Sequence, residues 1–156
     1  MSAARLTGGA AAALAAMLAV ATPIVSKWEG KSNDPYLDIV KVKTVCYGET
    51  NVPMRRYTDA EYSAMLQKSL GGYGEAVIKR NPNLQYRPFQ WAAATSLSYN
   101  IGNGAYAGST VAKRFQAGDF KGACDGFLAW RYAGGREVVG LKRRREDERQ
   151  LCLLGL

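Results

Sequence analysis

Histidine is absent from the whole chain of 156 residues. Its absence excludes Ser-His-Asp and Cys-His catalytic triads and most zinc sites, because each of these needs an imidazole ring. The three cysteines, Cys46, Cys124 and Cys152, include no C-x-x-C pair, which argues against a metal-binding or redox motif. Acid–base chemistry near neutral pH must therefore come from carboxylates, tyrosine, lysine or cysteine.

Acidic residues are the minority charge, with 13 Asp and Glu against 21 Lys and Arg and a net charge of +8. Such an excess favours an anionic partner: nucleic acid, an acidic membrane surface, or an acidic polymer such as a bacterial cell wall. A chain of this length can bury one sizeable core. The composition therefore predicts one domain, with room for a small lobe.

Charged residues are also missing from positions 7–26, "TGGAAAALAAMLAVATPIVS", which lie between Arg5 and Lys27. The length suits a membrane span, but the many Ala and Gly residues contribute little transfer free energy, so the helix should bind lipid weakly. Two interpretations stay open: a signal peptide cleaved at Ala19-Val20-Ala21, which the segment alone slightly favours, or a weak signal-anchor that later leaves the membrane. Both predict export of the remaining chain, to a compartment where disulfides persist.

Local signals near the N-terminus predict a small β element beside helices. A helix should run to Glu29 and end at Gly30. The alternating residues 39–47, "IVKVKTVCY", predict a strand or hairpin. "TDAE" at 58–61 is a capping box that begins a helix, and the Gly pair at 71–72 is a point where this helix can break or bend.

The C-terminal two thirds of the chain have mostly helical signals. Pro88 opens an Ala-rich helix, "PFQWAAATSLSYNI", whose apolar content predicts a buried position at the centre of the core. Residues 102–109 predict a glycine-rich loop. Further helices are predicted at 110–116, at 119–129 and, with a basic composition, from about Glu137. The layout is a small β element inserted into a mostly helical domain.

Two acids near the N-terminus could form a catalytic pair. Glu29 would lie in the last turn of its helix, where unpaired carbonyl groups and the neighbouring Trp28 favour a protonated carboxyl group, as a general acid near neutral pH requires. A hairpin could bring Thr44 beside Asp38, so that hydroxyl and carboxylate hold one water. This is the layout of an inverting glycosidase. From spacing alone, solvated surface charges remain the more common explanation.

The stretch "KWEG…PYLDIVKVKTVCYGET" resembles the catalytic segment of phage-type lysozymes, a family of glycoside hydrolases that includes endolysins. "FQWAAATSLSYNIGNGAYAGST" is similar to the central helix and Asn-Gly loop of that family, and "FLAWRYAGGREVVGLKRRREDERQLC" to its closing segment. The resemblance covers roughly residues 24–153. It implies a lysozyme-like α+β fold, in which a small antiparallel β lobe near 31–57 and a helical lobe from about 58–153 enclose a cleft.

The resemblance also implies roles for single residues. Glu29 would protonate the glycosidic oxygen, Asp38 would act as base or electrostatic partner to the attacking water, and Thr44 would help to hold that water. The implied substrate is the β-1,4 bond between MurNAc and GlcNAc in peptidoglycan glycan strands, and no metal or cofactor is implied. Candidate substrate-binding residues in the cleft, for which packing or loop stabilisation is the alternative, are Tyr47, Asn100 and Tyr106.

For residues 1–26 the resemblance favours a signal-anchor-release segment over a cleaved signal peptide, with residues 27–156 as the catalytic domain. Some relatives activate by exchanging a disulfide with a Cys in this helix, but residues 1–26 contain none. The implied alternative is that the freed segment packs onto the domain and completes the site around Glu29. The protein would be exported, tethered to the inner membrane and then periplasmic, as a monomer.

The cysteines and one basic segment near the C-terminus carry two further predictions. Cys124 and Cys152 lie in segments that would meet in the helical lobe, and we predict that they pair across a loop of about 27 residues, which contributes about 3 to 4 kcal/mol on the chain-entropy model. The alternative is three reduced core cysteines. The segment 141–149, "LKRRREDER", could indicate nucleic-acid binding, but its mixed signs favour a solvated, self-paired helix face and no nucleic-acid partner.

The predicted function is therefore a peptidoglycan muramidase, an endolysin that lyses a Gram-negative host. A bacterial muramidase that remodels its own wall would use the same residues. A catalytically inactive, cationic wall-binding protein is the alternative from another class. Relatives often have Gly and His where this chain has Lys41 and Glu49, and these departures could alter the β lobe.

Overall fold

The computed structural model describes residues 8–30 and 52–156 with their side chains, and only the backbone of residues 32–37 and 43–46. Short 3-10 turns at Pro82–Leu84 and Phe127–Ala129 connect some of the elements. In chain order the helices and strands are α1 (Gly8–Glu29), β1 (Ser32–Leu37), β2 (Lys43–Cys46), α2 (Asp59–Arg80), α3 (Pro88–Ile101), α4 (Asn103–Ala107), α5 (Thr110–Gln116), α6 (Phe120–Gly126), β3 (Tyr132–Ala133), β4 (Arg136–Glu137) and α7 (Val139–Leu153).

Helix α1 is part of the folded domain. Its residues Met17, Ala21 and Val25 are spaced by four, so they share one face, and all three are fully buried in the core. This face packs against α2 and α3. The helix ends where Gly30 adopts a φ of 66°, a left-handed conformation that glycine reaches without strain, so the predicted stop is confirmed.

Helix α2 begins with the predicted capping box. The Thr58 hydroxyl accepts a hydrogen bond from the Glu61 backbone N–H (3.2 Å), and the Glu61 carboxylate accepts one from the Thr58 N–H (2.8 Å). The helix then continues unbroken to Arg80, so of the predicted break or bend at residues 71–72 the break is wrong. Buried residues lie on both sides of the glycine pair, and their packing offsets the low helix propensity of glycine.

Helix α3 is the centre of the helical lobe, as predicted. Every residue from Gln90 to Ser98 is buried, and the helix contacts α1, α2 and α7. Pro88 occupies the first turn, where its missing N–H costs nothing, and Gly102 follows the last residue with a φ of 94°. Both predicted boundaries of this helix are confirmed.

The segment after α3 differs from the prediction in two places. Residues 102–109, predicted to be a loop, contain α4, because Tyr106 is drawn into the core and Ser109 caps the following helix. Residues 132–137 form a short antiparallel hairpin, β3–β4, turned by Gly134 and Gly135, and this hairpin was not predicted. The helix expected from about Glu137 therefore begins two residues later.

A disulfide joins α6 to α7 through Cys124 and Cys152, whose Cα atoms lie 5.5 Å apart. These are the two cysteines for which pairing was predicted. Both are fully buried, so the link lies inside the helical lobe. Cys46 belongs to β2, of which only the backbone is described.

Strands β1 and β2 form a two-stranded antiparallel sheet in which Tyr36 is opposite Thr44 and Leu37 opposite Lys43. The strand predicted within residues 39–47 is confirmed for residues 43–46, and the others lie outside the described residues. A mostly helical chain with this small antiparallel sheet agrees with the predicted α+β class.

Candidate active site

Glu29 is the last residue of α1, at the junction between α1 and α7. Its side chain is 21% exposed, and one carboxylate oxygen, Oε1, accepts a hydrogen bond from Nη1 of Arg144 on α7. The stop at Gly30 directs the chain away from the helix axis at this point. The carboxyl group is therefore fixed on one side and remains open to solvent on the other, which suits a group that must exchange a proton with a ligand.

The same end of α1 has a second attachment to α7. Asp147 accepts a hydrogen bond from the Trp28 indole N–H (3.1 Å) and forms an ion pair with the Lys27 ammonium group (2.5 Å). The ammonium group also lies 4.9 Å from the centre of the Trp28 ring. Together with Glu29, these contacts fix the last turn of α1 against one face of α7.

Arg144 is a buried guanidinium group, with 4% of its side chain exposed. Its Nε donates to Oε1 of Glu148 (3.0 Å) and its Nη2 to the carbonyl oxygen of Ser96 (3.2 Å), while Nη1 donates to Glu29. Each of its three nitrogens therefore has an acceptor. Because the guanidinium group is planar and rigid, these contacts determine where Nη1 can hold the Glu29 carboxylate.

Arg145 and Glu148 complete a buried cluster beside Arg144. The Nη2 atom of Arg145 donates to Oε1 of Glu148 (2.8 Å), and its Nη1 donates to Oδ1 of Asn100 (2.9 Å). Burial raises the pKa of the Glu148 carboxyl group, and the positive charges of Arg145 and Arg144 partly offset this rise. Burial also lowers the pKa of Arg145. We call Glu29, Arg144, Arg145 and Glu148 the charge cluster.

The prediction that residues 141–149 form a solvated face is wrong, because Arg144, Arg145 and Glu148 are buried between α7 and its neighbours. The expectation of self-pairing is correct, since Arg144 and Arg145 pair with Glu148 at spacings of four and three residues. That spacing was visible in the sequence. The burial was not, because it depends on how α1 and α3 cover this face of α7.

The candidate substrate-binding residues have different positions. Asn100 is exposed at the end of α3, where Arg145 donates a hydrogen bond to its side-chain oxygen. Tyr106 is buried, with 1% exposed, and its hydroxyl group donates to Oδ1 of Asn81 (2.7 Å). Burial also raises the pKa of Tyr106 above its usual range. The prediction that Tyr106 lines a sugar cleft is wrong, and its packing role is the correct alternative. Tyr47 lies outside the described residues.

The other two predicted catalytic residues, Asp38 and Thr44, follow Glu29 along the chain. Thr44 lies in β2, opposite Tyr36, and only its backbone is described. Asp38 follows the last residue of β1 and lies outside the described residues, as do Lys41 and Glu49. Within the described part of the chain, no three Cys, Asp or Glu side chains are grouped so that they could hold a metal ion.

Comparison with known proteins gives consistent matches over most of the chain. Residues 26–148 match the family model for phage lysozyme. The SAR-endolysin of Enterobacteria phage P21 is 40% identical over 153 residues, which cover 95% of this chain and 91% of that protein. SAR here denotes a signal-anchor-release segment.

Two solved structures give matches of different extent. The crystal structure of the active form of P1 phage endolysin Lyz matches with a TM-score of 0.76 at 24% identity, over 91% of this chain and 94% of that one. The secreted inactive form of the same endolysin gives a TM-score of 0.53 at 27% identity, over 67% and 75% of the two chains. On the family match and the 40% identity to the phage P21 relative, this chain belongs to the phage lysozyme family.

Proposed function

We propose that the protein is a glycoside hydrolase that cleaves the β-1,4 bond between MurNAc and GlcNAc in peptidoglycan, with Glu29 as its general acid. Membership of the phage lysozyme family supports the reaction class. The observation that carries the assignment of Glu29 is its position at the end of α1, fixed through Oε1 by a buried arginine. With Oε1 occupied, Oε2 is the oxygen that would carry the proton to the leaving group.

In this proposal the β lobe supplies the second half of the reaction. Asp38 would hold and activate the attacking water, and the Thr44 hydroxyl group would help to orient it. Attack by this water on the face of the sugar opposite the leaving group would invert the anomeric centre. The sheet register supports this proposal, because Thr44 in β2 follows Lys43, whose partner in β1 is Leu37, the residue before Asp38 in the sequence.

We also propose that α1 acts as a signal-anchor-release segment. By length and composition α1 could cross a membrane, and it is near the N-terminus. Its buried residues, among them Met17 and Val25, belong to the core, so the same helix has a docking site within the domain. The phage P21 relative is named a SAR-endolysin. The protein would therefore be exported, tethered to the inner membrane, and become active when α1 leaves the lipid and brings Glu29 to α7.

The substrate and the location agree with the charge of the chain. Peptidoglycan is an anionic polymer, and a net charge of +8 would attract the enzyme to it. Release into the periplasm brings the enzyme to the wall after export. Lysis of a Gram-negative host is the outcome that this arrangement serves.

The test is the release of reducing sugar from purified Gram-negative peptidoglycan by the full chain and by Glu29→Gln. Removing a general acid typically lowers the rate by about 10²- to 10⁴-fold. Glu146→Gln is the matched control, because it makes the same chemical change at an exposed position of α7 and should retain the wild-type rate. Equal rates for wild type and Glu29→Gln would refute the assignment. Wall binding without sugar release by either protein would instead identify a binding protein on a lysozyme scaffold.

A further inference from the structure

Glu148 is a fully buried member of the charge cluster. Its side chain is fully buried, and three donors converge on its Oε1 atom: the Ser96 hydroxyl group (2.8 Å), Nε of Arg144 (3.0 Å) and Nη2 of Arg145 (2.8 Å). These donors come from α3 and α7. Glu148 therefore connects the central helix of the core to the arginine that contacts Glu29.

A buried carboxylate such as Glu148 is energetically unfavourable in the interior of a protein. Removing a charge from water costs several kcal/mol, and apolar side chains of similar volume stabilise a core as well as a buried ion pair does. The stability of the fold therefore does not explain why a charge is found here. The contacts of Arg144 suggest another reason, since this guanidinium group joins Glu148 to Glu29.

The charges of the cluster balance only when all four members are present. Arg144 and Arg145 carry two positive charges, and Glu148 and Glu29 carry two negative charges when both are ionised. Without Glu148, two guanidinium groups would face Glu29 alone. They would hold it in the ionised form, which cannot donate a proton.

We propose that Glu148 is a positioning residue, which acts through Arg144 to orient the Glu29 carboxyl group and to keep it able to donate its proton. The proposal rests on the proposed function of Glu29 as the general acid. Glu148 does two things at once: it fixes the plane of the Arg144 guanidinium group, and it neutralises positive charge that would otherwise act on Glu29. Glu148 itself does not touch the substrate.

The first test is Glu148→Gln, which keeps the size of the side chain and removes its charge. The kcat for release of reducing sugar should fall by about 10- to 100-fold, since small displacements of a catalytic group have effects of this size. KM should stay within about 2-fold, because no substrate contact is changed. The alkaline side of the pH–rate profile should move to lower pH, because unopposed guanidinium groups favour ionised Glu29. Lys27, Asp147 and Arg145 are unchanged in the variant, and α3 contributes no charged residue.

The pH profile separates positioning from a loss of folded protein. A merely structural role would lower the amount of active enzyme at every pH and leave the shape of the profile unchanged. Glu146→Gln, two residues earlier on the exposed face of α7, is the matched control and should keep the wild-type kcat and profile. Circular dichroism at the assay temperature establishes that each variant is folded.

If Glu148→Gln does not fold, Ser96→Ala tests the orienting role of Glu148 with all four charges kept. It removes one of the three donors to Oε1 of Glu148, so kcat should fall by a few-fold with KM unchanged. A wild-type kcat and profile in Glu148→Gln, or a wild-type kcat in Ser96→Ala where that variant is used, would overturn the proposal. Absence of sugar release by the wild type would instead refute the proposed function, so the two failures are distinguishable.

Discussion

The packing of α1 against α2 depends on the absence of a side chain at Gly74. A methyl group added there would collide with the end of the Met17 side chain from α1, and would lie in ordinary contact with Trp91 and Thr95, at 3.5 and 3.6 Å. Gly74→Ala therefore perturbs the docked position of α1 without changing the sequence of α1. The affinity of α1 for lipid is left as it was.

The change that Gly74→Ala makes in the free energy of unfolding is the sum of two opposing effects. Met17 is fully buried, so it must change rotamer or α1 must shift, and overpacking of this kind costs about 1 to 3 kcal/mol. Alanine in a helix interior gains about 0.5 to 1 kcal/mol over glycine. Gly74→Ala should therefore lower the free energy of unfolding by between about 0 and about 2.5 kcal/mol. Gly72→Ala, whose added methyl group meets no atom within 4 Å, should raise it by about 0.5 to 1 kcal/mol.

The assay is urea unfolding of the full chain, followed by circular dichroism, for a double-mutant cycle of Met17→Ala and Gly74→Ala. Met17→Ala alone should cost about 2 to 5 kcal/mol, because it leaves a cavity. In that background the collision is gone, so Gly74→Ala should become neutral or stabilising. The coupling free energy between the two positions should be about 1 to 3 kcal/mol.

Two results would refute this reasoning. If Gly74→Ala stabilises the protein as much as Gly72→Ala does, the space beside Gly74 is empty in the folded protein. If Gly74→Ala costs the same with Met17 and with alanine at that position, Met17 packs elsewhere. Either result would mean that the Met17 side chain does not pack against Gly74 in the way described, so this contact would no longer support the docked position of α1.

Three other predictions concern the membrane segment, the disulfide and a helix cap. Gly8→Leu should increase the fraction of the protein bound to membranes in cell fractionation, since burying Leu in lipid is favourable by about 1.5 to 3 kcal/mol. Gly8→Gln is the control, because Gln has a similar helix propensity to Leu but should not increase the membrane-bound fraction. Equal membrane-bound fractions for the two variants would contradict the release proposal. Cys124→Ser should lower the free energy of unfolding by about 3 to 4 kcal/mol in urea, and a reductant should affect the wild type but not this variant. The hydrogen bond from Arg55, followed by that from the Thr58 backbone, lowers the pKa of Glu61 to about 2 from its ordinary 4.5, so its stabilising effect should be complete above pH 4.5 and be lost as the pH falls towards 2. In urea unfolding, the stability of Glu61→Gln should fall less at acidic pH than that of the wild type. An equal pH dependence of the two proteins would count against the stabilising role of the Arg55–Glu61 ion pair.

Elements that are specified by short-range signals could be predicted from the sequence. The capping box at Thr58 and the proline at Pro88 each fix a helix start through contacts within one turn, and Gly30 fixes a helix end by its left-handed backbone. The pairing of Cys124 with Cys152 was also predicted, from the resemblance to a family with a helical lobe at these positions.

Features that depend on long-range packing were missed. Residues 102–109 were predicted to be a loop because three glycines dominate the local signal, whereas the burial of Tyr106 against Asn81 favours helix α4. The mixed charges of α7 are typical of a solvated face. Arg144 and Glu148 are buried there because α1 and α3 cover that face, and no local pattern reports which helix will cover another. The contact between Arg144 and Glu29 was therefore invisible in the sequence, and the catalytic role of Glu29 stays a prediction.

The most direct test of the central claim is to identify the sugar at the new reducing ends of digested peptidoglycan. The full chain and Glu29→Gln are incubated with purified Gram-negative walls, the products are reduced with borohydride, and the reduced sugar is identified by mass spectrometry. The account predicts reduced muramic acid for the wild type and only background levels for Glu29→Gln. Reduced glucosamine in place of muramic acid would contradict the assigned bond, and equal amounts of reduced muramic acid from both proteins would contradict the role of Glu29 as the acid.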